Sequence, residues 1–123
     1  MTKKLMLAAV LLTLPIGAAN AMDVATFLAK AGALEKKGMM ALFSSDYKAL
    51  KGEVEAAGAQ LRAERMAAQK GGRKPAYCPP AKSGLDSKEL LAHFRAIPPQ
   101  QRPGMQVKDG LRSLLARKYP CRG

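Results

Sequence analysis

The stretch LDSKELLAHFRAIPP, residues 85–99, carries both the start and the stop signals of one amphipathic helix. Asp86 and Glu89 have the spacing of a capping box, in which each side chain accepts a hydrogen bond from the other residue's backbone N–H. Apolar residues then recur every three or four positions, which predicts one buried helix face. The prolines at 98 and 99 end the helix, because proline has no N–H and its ring blocks the preceding turn.

The same periodicity predicts three further helices. The first is predicted at residues 23–36, where Asp23 can cap it. The longest is predicted at about 46–70, and the last at about 105–119. Residues 71–84 are rich in proline and glycine, so we expect a loop there. No alternating run of strand length is present. The sequence therefore predicts an all-α fold, a small single domain of about four helices.

The first 21 residues have the layout of a cleavable signal peptide. Two lysines precede a ten-residue apolar run at 5–14, and Ala-Asn-Ala at 19–21 supplies a small-x-small cleavage site. The run is too short to span a bilayer, which takes about 20 residues, so we expect no transmembrane segment. Residues 22–123 are then the exported domain, and we expect it to be periplasmic or secreted.

Cys78 and Cys121 are the only cysteines in the chain. In an exported protein an even cysteine count favours a disulfide, and two cysteines allow one intramolecular pairing. The alternatives are a reactive thiol and an intermolecular bridge. A zinc site needs four ligands, whereas the chain has one histidine and no Cys-x-x-Cys spacing. We therefore expect a Cys78–Cys121 disulfide that staples the domain, and no metal.

The chain is strongly basic, with 21 Lys and Arg against 9 Asp and Glu and a net charge of +12. Such a surplus favours anionic partners, such as an acidic protein surface, phospholipid headgroups or envelope polymers. Nucleic acid is not expected as a partner, because the chain is exported and has no tryptophan and few aromatic residues for base stacking. The alternative is a solvated basic surface without a partner.

Catalytic chemistry is poorly represented in the sequence. His93 is the only histidine, and a general base also needs a nucleophile and an orienting acid. No Gly-x-Ser-x-Gly elbow is present. The run GGRK at 71–74 could hold an anion on its backbone N–H groups and two cations, but it lacks the spacing of a P-loop. The alternatives are a flexible basic loop that touches an acidic partner and a plain solvated turn. We expect no enzymatic activity and no cofactor.

Four short motifs in the second half of the chain occur in a recognisable order. They are YCPP at 77–80, LDSKELL at 85–91, IPPQQR at 97–102 and ARKYPC at 116–121. In order and approximate spacing they resemble the Rap/Tai immunity proteins of type VI secretion. The resemblance covers about residues 77–121, whereas residues 22–76 lack the additional cysteines that many members carry.

The resemblance implies an exported all-α protein, often a homodimer, that binds a peptidoglycan-cleaving amidase effector and blocks its active site. An inhibitor of this kind would use a helix face or a basic loop to occlude an acidic cleft. The candidate partner contacts are Arg73, Lys74, Tyr77, Arg95 and Arg102. The alternative function is a basic envelope protein that associates with anionic lipid or polymer and has no specific protein partner.

Overall fold

The computed structural model describes residues 21–122 of the chain. The α-helices are α1 (Val24–Lys37), α2 (Ser45–Lys70), α3 (Ser87–Ala96) and α4 (Val107–Lys118), and the 3₁₀-helices are Gly38–Phe43 and Arg102–Gly104. The predicted small all-α domain is confirmed, since this part of the chain has no strand beyond one isolated bridge between Asp23 and Gln106. The signal peptide predicted at 1–21 lies, except for Ala21, outside the described residues.

The helices α1 and α2 form an antiparallel hairpin. The Asp23 side chain caps α1 as its position predicts. The Met22 N–H donates a hydrogen bond to the Glu53 carboxylate at 3.1 Å, and Lys30 pairs with Asp46 at 3.1 Å. From the first contact to the second, the position on the α1 side rises from 22 to 30 while the position on the α2 side falls from 53 to 46. The two helices therefore run in opposite directions.

The helix α4 lies beside the second half of α2 and runs in the same direction. In the second half of α2, Glu64 binds both Lys108 and Arg112 of α4, at 3.1 and 3.0 Å. Beyond the ends of both helices, Cys78 and Cys121 form a disulfide, with Cα atoms 4.9 Å apart. The predicted pairing is confirmed, and it ties the loop after α2 to the segment after α4.

The α3 aromatic residue Phe94 is completely buried in the core. Its ring meets Phe27 of α1 edge to face, with ring centroids 5.3 Å apart. Gly110 of α4 lies against the same ring. The other core residues of the helices are Val24, Ala31, Leu34, Leu50, Ala57, Leu61, Leu90, Val107, Leu111 and Leu114. All four helices therefore share one apolar core.

Half of the predicted capping box of α3 forms as expected. The Asp86 carboxylate accepts a hydrogen bond from the Glu89 N–H at 2.8 Å. The Glu89 carboxylate, expected to bond back to Asp86, instead accepts a hydrogen bond from Lys118 of α4 at 2.8 Å. This hydrogen bond raises the pKa of the Lys118 ammonium. Glu89 thus joins the start of α3 to the end of α4.

Candidate functional site

Among residues 21–122, the contact of His93 with Ser113 is the one that resembles a catalytic pair. The His93 Nε2 lies 2.7 Å from the Ser113 hydroxyl, and that hydroxyl donates to the Gly110 carbonyl at 2.8 Å. A hydroxyl has one proton, so while Ser113 donates it to the carbonyl, Nε2 must be the donor to Ser113. A histidine protonated at Nε2 cannot accept the serine proton, so this arrangement does not activate a nucleophile.

The surroundings of His93 favour the neutral imidazole, the form that a base needs, but provide no orienting acid among residues 21–122. Burial and the neighbouring Arg117 lower the pKa of the imidazole below its ordinary value of 6.5. No hydrogen bond within residues 21–122 joins the ring to an orienting carboxylate. The described part of the chain likewise has no group of three or more His, Cys, Asp or Glu placed to hold a metal ion. The His93–Ser113 contact joins α3 to α4.

An apolar groove of about 630 Å³ lies between α1, α2 and the start of α3. Its apolar lining includes Phe27, Leu34, Leu50, Val54, Leu90 and Leu91. Its volume lies within the range of about 300–1,000 Å³ that is typical of ligand sites. The lining among the described residues contains none from α4, which covers the second half of α2 instead. The groove is the part of the bundle where three helix faces converge without a fourth helix.

The charged residues of this apolar groove are mostly acidic, although the protein as a whole is basic. Glu35, Glu55 and Asp86 line it together with a single lysine, Lys51. Glu35 forms an ion pair with Arg95, while Asp86 caps α3. Three of the nine acidic residues thus lie at one feature of a chain with net charge +12. Even with Arg95 counted, acidic groups outnumber basic ones at the groove, which favours an apolar occupant with positive groups over one with negative groups.

Next to the groove, the 3₁₀-helix Gly38–Phe43 exposes a run of large apolar side chains. We call it the apolar segment. Its exposed fractions are 82% for Met39, 68% for Met40, 54% for Leu42 and 82% for Phe43. Only Ala41 turns inward, where it packs against the core and lines the groove. The segment begins at Gly38, whose φ of 57° is readily adopted by glycine.

The five predicted partner contacts do not form one surface. Arg73 and Lys74 are exposed in the loop after α2. Arg95 and Arg102 lie together, because the Arg102 guanidinium donates to the Arg95 carbonyl at 2.8 Å. Tyr77 is only 5% exposed. Its ring packs in the core, which corrects our expectation that it faces a partner.

The remaining contacts of these residues are structural. The Arg102 guanidinium also donates to the Ile97 carbonyl at 2.9 Å, so it braces the turn after α3. Arg95 is paired with Glu35 at the groove. The guanidinium of Arg65, a residue of α2, lies 5.2 Å from the centre of the Tyr77 ring, within the range of a cation–π contact. Arg73 and Lys74 remain exposed candidates for a partner contact.

The apolar groove and the apolar segment were not among the predicted site residues. The run MMALF at 39–43 was visible in the sequence, but five consecutive apolar residues are too few to reveal by periodicity which of them face solvent.

No helix among residues 21–122 is both long and apolar enough to cross a membrane. Comparison with protein-family models, with curated proteins and with solved structures finds no match to the chain.

Proposed function

We propose that this chain is a small exported binding protein that inhibits a peptidoglycan-cleaving amidase, and that the apolar groove is its contact surface. The groove is the observation that carries the proposal. The motifs at 77–121 supply the partner class through their resemblance to immunity proteins. The Cys78–Cys121 disulfide accords with an oxidising compartment outside the cytoplasm.

The chemistry of the groove defines the segment of the amidase that it would bind. Apolar side chains such as Leu91 and Val54 are only partly buried, so an occupant can remove further apolar surface from water. The acidic groups at the groove favour an occupant with Lys or Arg beside its apolar residues. The occupant is therefore a protruding apolar and basic segment of the enzyme, rather than an acidic cleft.

The test takes a peptidoglycan amidase found among the neighbouring reading frames and measures its inhibition by this chain, with release of peptides from peptidoglycan as the readout. The chain should inhibit at an equimolar ratio. Leu91→Asp places a charge in the groove and should weaken inhibition at least about tenfold, since a buried unpaired charge is costly at an interface. Leu115→Asp is the matched control, because Leu115 is also partly buried but belongs to α4 and lies outside the groove lining.

Two results would overturn the proposal. One is an amidase that cleaves at full rate in the presence of excess chain. The other is a Leu91→Asp variant that inhibits as strongly as the unchanged chain while circular dichroism shows both to be folded. Protection of cells that export the amidase, measured with the same variants, gives a second readout of the same contact.

A further inference from the structure

We propose that the apolar segment Gly38–Phe43 is a membrane-docking element that inserts into the interfacial region of a bilayer rich in anionic phospholipid. The segment borders the groove through Gly38 and Ala41, but its four large side chains are exposed and are not part of the groove lining. The proposal therefore concerns a second surface and does not depend on an amidase partner.

The first argument is the extent of the exposed apolar surface. Isolated exposed apolar residues are ordinary in proteins, but a contiguous patch marks an interaction site. Here two methionines, a leucine and a phenylalanine are exposed within five consecutive positions. Ala41 packs on the core and so anchors the backbone of the segment. The four exposed side chains are therefore held in place relative to the bundle.

The second argument is the charge around the segment. Lys36 and Lys37 precede it in the last turn of α1, and Lys48 and Lys51 follow it in the first turns of α2. All four lysines are exposed. The acidic residues nearest to the segment in sequence are Glu35 and Asp46, and each is in an ion pair, with Arg95 and Lys30 respectively. Lysines beside an exposed apolar group are the combination that binds anionic headgroups while the apolar residues enter the acyl boundary.

The same charges argue against a second copy of this chain as the occupant. Two copies that met through this surface would bring two sets of four lysines together, and like charges at an interface oppose association. An anionic bilayer instead offers opposite charge to the lysines and an apolar layer to the segment. Because the segment is a single short 3₁₀-helix, it would lie at the interface and would not span the bilayer.

The test is co-sedimentation of residues 22–123 with vesicles. This part of the chain contains the whole described core, and it lacks the apolar run at 5–14 that would itself bind lipid. Binding should be strong to vesicles of phosphatidylglycerol and phosphatidylcholine and weak to phosphatidylcholine alone. The double variant Met39→Ser and Phe43→Ser should bind at least about tenfold more weakly, because both side chains lose their transfer into the acyl boundary.

Met66→Ser is the matched control, since Met66 is a half-exposed methionine of α2 outside the segment, and it should bind like the unchanged chain. Lys36→Glu with Lys37→Glu should remove the preference for anionic vesicles. Equal binding of the Met39 and Phe43 double variant and the unchanged chain would overturn the proposal. So would absence of vesicle binding, or segment-dependent dimerisation in sedimentation velocity. Leu91→Asp should still bind vesicles, which separates this result from the amidase test.

Discussion

Among the glycines of the described residues, Gly110 is the one at which the core leaves least space for a side chain. A Cβ at this position would lie 2.9 Å from Cε1 of Phe94 and 3.3 Å from Cγ2 of Val24. Both neighbours are completely buried, so neither side chain can move into solvent. The missing side chain is what allows α4 to approach the centre of the core.

We expect Gly110→Ala to lower the free energy of unfolding by about 1–3 kcal/mol, the usual cost of overpacking a core. Gly52→Ala is the control, because a Cβ at Gly52 meets nothing within 4 Å and the residue lies inside α2. It should raise stability by about 0.5–1 kcal/mol through helix propensity. Urea denaturation measures both. If Gly110→Ala raises the free energy of unfolding as Gly52→Ala does, a Cβ at Gly110 does not overpack the core and the prediction is wrong.

At the scale of the helices, α3 and α4 are joined by polar contacts as well as by the core. Lys118 binds Glu89 at one end of α3, and Ser113 binds His93 towards the other. The His93 contact has a pH dependence that can be measured. Burial, then the positive Arg117, lower the pKa of His93 in the folded state, so the unfolded chain takes up a proton more readily.

The free energy of unfolding should therefore fall as the pH decreases from about 6.5 towards the lower folded-state pKa of His93, because protons then favour the unfolded chain. Thermal melts between pH 7.5 and 5 should show this loss. His93→Gln should show a weaker dependence over that range. Ser113→Ala removes the hydrogen bond but retains the imidazole, so its pH dependence should remain. An unchanged slope in His93→Gln would exclude His93 as the group responsible.

Helix positions were predictable because their signals are local. Asp23 and Asp86 act as caps where their spacing to the apolar residues predicts. The return half of the capping box was wrong for a non-local reason, since Lys118 lies far along the chain and competes for the Glu89 carboxylate. The burial of Tyr77 was also missed for a non-local reason, because it depends on where the disulfide and α2 place the loop.

The candidate site was less predictable than the helices. The groove exists because α4 packs along the second half of α2 and does not cover the first half. The apolar pattern of one helix does not show which other helix packs against it. The exposure of Met39–Phe43 runs against the general tendency of apolar residues to be buried. Sequence periodicity shows that a face is apolar, but not whether another part of the same chain covers it.

In the whole molecule, the Cys78–Cys121 disulfide closes the second half of the chain into one loop. Closing a loop of about 44 residues reduces the entropy of the unfolded chain and is worth about 4 kcal/mol in the chain-entropy treatment. We expect the double variant Cys78→Ser and Cys121→Ser to lower the free energy of unfolding by about 2–4 kcal/mol. Reductant should lower the melting temperature of the unchanged chain and leave that of the variant unaltered. Equal melting temperatures with and without the disulfide would contradict this.

The backbone bridge around Asp23 and Gln106 also links the folding of α1 to that of α4. The Val24 N–H donates to the Met105 carbonyl, and the Val107 N–H donates to the Met22 carbonyl, at 2.8 and 2.9 Å. The beginning of α1 is therefore joined by backbone hydrogen bonds to the beginning of α4, although α1, α2 and α3 all lie between the two in sequence. Contacts so distant in sequence form late, because the intervening chain must be ordered first. A chain truncated before α4 would thus lack the backbone partners of Met22 and Val24, and we expect the start of α1 to be loosely held in it.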